Sequence, residues 1–308
     1  MPGGMPGGGI WRWAGGTDAP PKGLHATMSD LTTRPVRTVP LDELPLVAPE
    51  LLLQHQRLRI DVLASGHVLP FLVHRKEAAD GVVVFSNGAV NHDIAHGQPV
   101  FQRSRWVAGL AQHAIFSCDP GTVGPSRLSL AWGNAGPDYW AVYDIGRAVR
   151  VLSAALGVKD ADRRLYYGSS AGGFLSLALL GGDRGASAIV NNAQFDWTRW
   201  MPGDVNRLRK VHFNNRLPAH LRRTNPLRTN VFNLLKKRRL KARVDYYVNL
   251  NSKHDREIDL PMMQEYIRDN PALASNIRIM EYCDVQAGHS PLPIELTTDI
   301  INAGTLRL

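Results

Sequence analysis

The 308-residue sequence holds two cysteines, Cys118 and Cys283. So few thiols exclude a disulfide-stapled scaffold and any four-cysteine zinc site. Both close strand-like apolar runs, HAIFSC and IRIMEYC, which predicts buried, reduced thiols. No apolar run approaches the roughly 18 residues that a membrane span needs. No basic start leads into a signal-type apolar run either, so the cytoplasm is the expected location. Neither G-x-x-x-x-G-K-S/T nor a strand-borne G-x-G-x-x-G occurs, so nucleotide chemistry has no support and no cofactor is expected. His92 and His96 stand four apart, but no Glu or further ligand accompanies them at metal-binding spacing. They read as loop or helix-surface histidines, and no metal is expected.

What remains is an ordinary globular composition, 44% hydrophobic and 20% charged, long enough for one large α/β domain. The formal charge of +9 is placed unevenly. Arg207 to Arg243 holds thirteen Lys and Arg and no Asp or Glu, which leaves the other residues at −4. The basicity therefore describes one local surface. Residues 1–27 hold eight Gly and four Pro. They lack the apolar content to offset ordering entropy and are expected to be a disordered tail before a 28–308 domain.

From residue 56 a strand–helix alternation sets in. QRLRIDVL (56–63) and HVLPFLVHR (67–75) flank a Ser-Gly turn and predict a hairpin. GVVVFSNG (81–88) and HAIFSCD (113–119) read as strands buried on both faces. Further strands are expected at 164–168, 186–195, 244–251 and 276–284. Helices are expected at 99–112, 140–157, 171–180 and 260–270, and from about Pro293. Such alternation implies an α/β fold, a mostly parallel sheet with helices on both faces.

Gly168-Ser169-Ser170-Ala171-Gly172 is a G-x-S-x-G set directly between the strand RLYY and the apolar helix GFLSLALL. A sharp strand-to-helix turn holds its central Ser in strained backbone geometry. Side chains two positions away on either side would collide, which Gly168 and Gly172 avoid. The helix N-terminus beneath the Ser favours developing negative charge.

On these residues the chain resembles the α/β-hydrolase superfamily over about 56–308. The resemblance implies a chain order of Ser, acid, His, with Ser170 as nucleophile after the fifth strand. His289, in the Gly-His-Ser-Pro loop after the eighth strand, is then the base. Asp255, shortly after the seventh, is the acid that orients it, with Glu257, Asp259 and Asp196 as alternatives. Ala171 N–H would supply one oxyanion donor. The second would come from the loop after the third strand, where Gly88 and Ala89 align with the family's His-Gly-x loop and Asn87 replaces the His.

Between the sixth and seventh strands, 196–243 forms a basic insertion where the family carries lids or caps. It includes Trp197, Trp200 and Lys236-Lys237-Arg238-Arg239. It would suit an anionic substrate or an anionic membrane surface, the latter as peripheral attachment. Basic charge without a recognised module gives little support to nucleic acid. The expected function is a serine esterase acting on an acyl ester, with an O-acylated or anionic glycan as the substrate class. The alternatives are an acyltransferase, such as an O-acetyltransferase, acting on a glycan hydroxyl, and a non-catalytic polyanion-binding protein of the same fold.

Overall fold

Apolar residues without alternation define the centre of the sheet. Val82–Ser86 (β4) and His113–Ser117 (β5) are buried at every position, as strands covered on both faces must be. The structure is a computed structural model that describes residues 36–305, so the tail at 1–27 lies outside the described residues. The other strands are β1 (Val36–Pro40), β2 (Arg57–Ala64), β3 (His67–His74), β6 (Arg164–Ser170), β7 (Ser187–Ala193), β8 (Arg243–Asn249) and β9 (Asn276–Tyr282). Together they form one sheet in the order β1-β2-β3-β5-β4-β6-β7-β8-β9. The pairings make β3 the one strand that runs against the rest. The β2–β3 hairpin closes on Ser65 (φ 51°) and Gly66 (φ 77°), two successive left-handed residues that match the twist of the strands they join.

The period of two along each strand divides the core between the faces. Val82 and Val84 join the larger cluster with α1 (Leu44–Gln54), α3 (Val142–Ala155) and α4 (Ala171–Leu180). Val83 and Phe85 belong to the smaller cluster on the other face, with Trp106 and Ile301 of the C-terminal helix. A short helix, α2 (His92–Ala95), lies before α3. Between β7 and β8 the chain forms α5 (Pro202–His212), α6 (Pro218–Thr224), α7 (Pro226–Thr229) and α8 (Val231–Lys237). The first three open on Pro, whose missing N–H costs nothing in a first turn. Then come α9 (Leu260–Asp269), α10 (Pro271–Ala274) and α11 (Ile294–Thr305). Among the described residues, no helix is long and apolar enough to cross a membrane.

Several expectations need correction. The sheet has an additional edge strand, β1, followed by α1, so the strand that carries Ser170 is the sixth and the basic insertion joins the seventh to the eighth. β1 is five residues long, VRTVP, and is too short and too polar to announce itself. The helix expected at 99–112 is a series of turns with a 3-10 segment at Trp106–Gly109. Arg103 takes a left-handed φ of 66° there, which ends any helix. Cys118 is buried as expected, and burial pushes its thiol up to about 12. Cys283 is exposed instead, because it follows β9, the sheet edge whose residues are at most half-buried. His92 is buried too, its Nε2 donating to the Leu128 carbonyl at 2.9 Å, whereas His96 is exposed.

The foot of β6 is tied by a buried ion pair. Arg164 donates to both oxygens of Asp183, at 2.7 and 2.9 Å, and Tyr166 Oη adds a third bond at 2.8 Å. Both charged side chains are under 5% exposed, so removing one strands the other in a low-dielectric interior. Asp183→Ala is expected to cost roughly 3–5 kcal/mol in denaturant unfolding. Asp80→Ala, which breaks the exposed pair with Arg163, should stay within about 1 kcal/mol of the parent.

Candidate active site

β6 ends at Ser170 and α4 begins at Ala171, with no residue between them. Ser170 sits at φ 55°, ψ −129°, a conformation that costs of order 1–3 kcal/mol for a residue with a Cβ. Glycines make the turn feasible. A Cβ on Gly168 would lie 2.1 Å from the Gly172 carbonyl oxygen, and one on Gly172 would lie 2.6 Å from that of Ser86. Ala171 opens the helix, so its N–H has no acceptor one turn earlier in the helix.

The loop after β4 lies against this turn. Gly88 abuts the Ser169 carbonyl and Ser170 Cβ. Its N–H donates to Gln102 Oε1 at 2.8 Å, and Gln102 Nε2 returns a 2.8 Å bond to the Ala89 carbonyl. Of the two expected donors in this loop, Gly88 is therefore engaged. No described residue accepts from Ala89 N–H, and Ala89 is exposed. The Asn87 side chain accepts from Asp119 N–H at 2.6 Å. The irregular 99–112 segment thus has a local role. Besides Gln102, its Arg103 donates to Ser169 Oγ at 2.5 Å and stacks on Trp106 and Tyr167.

His289 Nδ1 lies 2.7 Å from Asp255 Oδ2. The carboxylate is fully buried and the imidazole is 30% exposed. A carboxylate accepts only, so Nδ1 carries the proton and the lone pair belongs to Nε2, which has no partner among the described residues. Asp255 begins a π-helical turn (Asp255–Asp259) that leads into α9. The rival acids are placed elsewhere. Asp196 caps its own turn by accepting from Thr198 N–H and Oγ–H, and Glu257 pairs with Arg256 at the surface. Asp259 is buried behind the pair, accepting from Phe195 N–H at 3.2 Å and 3.4 Å from His254 Nε2. Burial first, and then the Asp255 charge, push its carboxyl well above the usual carboxylate range. Burial lowers His254, so the same desolvation favours the uncharged form of both partners. Trp200, from the insertion, covers both histidines at ring separations of 4.7 and 4.8 Å.

The polar end of β7 was missed by sequence reasoning, although Asn-Asn-Ala-Gln closing an apolar strand was its signal. Asn191 Oδ1 accepts from Leu292 N–H, and Asn192 Nδ2 donates to the carbonyls of His289 and Ser290. Asn192 Oδ1 in turn accepts from Asn249 N–H. Asn249 itself spans the His289 loop through the carbonyls of Asp284 and Gly288. Gln194 Nε2 donates to Ser170 Oγ at 2.9 Å. One strand end thereby holds both the loop of His289 and the oxygen of Ser170. No hydrogen bond joins Ser170 to His289 directly.

The sequence matches no family model and no curated protein. Solved structures share its architecture. A capsule O-acetyltransferase of Neisseria meningitidis serogroup A superposes with a TM-score of 0.55 at 11% identity, covering 80% of this chain and 96% of that one. A hormone-sensitive lipase from a metagenome library gives 0.52 at 15% identity over 86% and 93%. A glycosylation-associated protein complex from Streptococcus agalactiae gives 0.56 at 12% identity over 82% and 45%.

The raised Asp259 carboxyl makes the folded chain hold a proton that the unfolded chain releases near pH 4. Across the window above that value the unfolded state binds fewer protons, so stability falls as pH rises. Asp259→Asn keeps an acceptor for Phe195 N–H and removes the titration. Urea unfolding between pH 4 and 8 should show a shallower decline for the variant than for the parent. An unchanged slope would mean that Asp259 is ionised in the folded chain.

Proposed function

We propose that this chain, which has the α/β-hydrolase fold, is a serine-dependent acyl-transfer enzyme with Ser170 as nucleophile, His289 as base and Asp255 as the residue that orients it. The observation that carries the reading is the 2.7 Å contact of His289 Nδ1 with a fully buried Asp255. It leaves Nε2 without a partner among the described residues, in a chain whose glycine-flanked elbow strains a serine into a left-handed backbone. A mere structural turn has no use for that combination.

In the proposed reaction Ser170 Oγ forms a bond to the acyl carbonyl carbon while its proton passes to His289 Nε2. Asp255 stabilises the imidazolium that results. The carbonyl electron pair moves onto oxygen, where Ala171 N–H and the Ala89 N–H are the donors proposed to receive it. Collapse breaks the ester C–O bond, and the imidazolium protonates the departing oxygen. Water then attacks the acyl-enzyme with His289 again as base, releasing the acid and restoring Ser170.

The acceptor in that last step separates an esterase from an acyltransferase, because the same acyl-enzyme serves both. The structural neighbours include a lipase and an O-acetyltransferase, so the fold accommodates either outcome. The favoured substrate class is an acyl ester, with an O-acylated or anionic glycan the form that suits the basic insertion. Ten of its thirteen cationic residues from Arg207 to Arg243 are exposed, Lys236 to Arg239 consecutively. Arg209 and Arg228 are structural instead, bound to the Arg216 and Asn215 carbonyls and to Asn134 respectively. The exposed set would raise the local concentration of an anionic substrate or engage an anionic surface.

Labelling with a fluorophosphonate, mapped by mass spectrometry, tests the nucleophile. The adduct is expected on Ser170, absent in Ser170→Ala, and slowed roughly 100-fold or more in His289→Ala. Folded protein without an adduct on Ser170 would favour the non-catalytic polyanion-binding reading. The basic surface has its own test. Reversing Lys236, Lys237, Arg238 and Arg239 to Glu should raise KM for an anionic ester several-fold and leave a neutral ester unchanged. High salt should erase the difference between the two proteins.

A further inference from the structure

We infer that Gln194 is a positioning residue for the nucleophile, an amide donor locked onto Ser170 Oγ by the indole of Trp132. The inference rests on Ser170 being the nucleophile. Gln194 is 1% exposed. Its Nε2 lies 2.9 Å from Ser170 Oγ, and its Oε1 lies 2.6 Å from Trp132 Nε1. An indole nitrogen can only donate, so it fixes which end of the carboxamide is oxygen and leaves the NH2 facing the serine. The backbone reinforces the grip, because Gln194 N–H donates to the Ser170 carbonyl at 3.2 Å.

Trp132 is itself held rigidly. It is wholly buried and stacks on Trp197 at 5.5 Å with 21° between the planes. Its carbonyl accepts from Trp140 Nε1 at 3.0 Å, and its backbone is fixed at φ 50°. Gln194 is therefore a pre-oriented donor whose reorganisation cost was met on folding.

The consequence for Ser170 follows from donor and acceptor counting. An Oγ that accepts from Gln194 keeps its own proton free for a second partner, and on the proposed reading that partner is His289 Nε2, which has none among the described residues. A donor on Oγ also favours the form of that oxygen that carries negative charge. The charge develops twice, as the proton leaves during attack and as Oγ departs from the acyl-enzyme. Gln194 thus acts on Oγ in both halves of the reaction, whereas the proposed backbone donors act on the carbonyl oxygen.

The test is fluorophosphonate labelling of the full chain across pH 5 to 9, comparing wild type, Gln194→Leu and Gln194→Glu. Gln194→Leu is expected to label Ser170 roughly 10- to 100-fold more slowly, with circular dichroism unchanged. Gln194→Glu retains an acceptor for Trp132 Nε1, so it covers the case in which the leucine variant fails to fold. Its carboxyl donates to Oγ only when protonated, so its rate relative to wild type should climb as pH falls. His289, Asp255, Asp259, His254 and the Arg103 that bonds to Ser169 are common to both proteins, and the ratio removes them. A purely structural glutamine would give a ratio that is flat with pH. Wild type that labels at Ser170 while Gln194→Leu labels within twofold of it, or a flat Gln194→Glu ratio, would overturn the inference alone. Wild type that does not label at Ser170 would instead overturn the nucleophile reading on which it stands.

Discussion

The approach of two backbones at the head of β6 constrains everything around it. With a Gly168 Cβ placed 2.1 Å from the Gly172 oxygen, strand and helix meet as closely as peptide groups allow. Ser170 alone absorbs the turn, at φ 55°. That strain persists only if both flanking elements are immobile. Every residue of α4 is buried, and β6 is anchored at its foot by the Arg164–Asp183 pair and flanked by β4 and β7. The apolar helix and the buried ion pair therefore share a purpose, holding a serine in a conformation it would leave if the core loosened.

Polar residues are then spent where the strands end. The carboxyl ends of β7 and β8 carry Asn191, Asn192, Gln194 and Asn249, whose side chains bond to backbone groups of the 284–292 loop and to Ser170 Oγ. Buried amides satisfy a loop that has no regular ladder of its own. The chain meets the site's need for rigidity with side-chain bonds from the sheet rather than with loop packing. That choice explains why an otherwise apolar strand finishes in Asn-Asn-Ala-Gln.

Charge is segregated in the same way. Behind the His289–Asp255 contact, two carboxyls, Asp255 and Asp259, share one buried turn, and burial together with the Asp255 charge favours the protonated form of Asp259. The cations that are exposed between Arg207 and Arg243 lie on the stretch between β7 and β8. What that insertion brings to the histidines is Trp200, an aromatic cover over both imidazoles.

Much of this was legible in one dimension. The strand–helix alternation, the hairpin, α4 from Ala171 to Leu180 and the glycine-flanked serine all rest on periodicity and local sterics, which neighbouring residues carry by themselves. The pairing of His289 with Asp255 was an expectation carried by the α/β-hydrolase resemblance, with Glu257, Asp259 and Asp196 left as alternatives. Their 2.7 Å contact, and the exclusion of Asp196 and Glu257 from it, required the fold. The sequence could not announce β1, which is a strand only because β2 offers an edge, nor the unwinding of 99–112, where bonds from Gln102 to the Gly88 loop outweigh helix propensity. Nor could it reveal Gln194, because a hydrogen bond between residues 24 positions apart, oriented by an indole 62 positions from it, depends on where three strand and loop ends converge. Local interactions decided the elements and the elbow. Contacts between distant residues decided which polar groups face one another, because burial lets each polar atom keep only the partners that the tertiary structure places within reach.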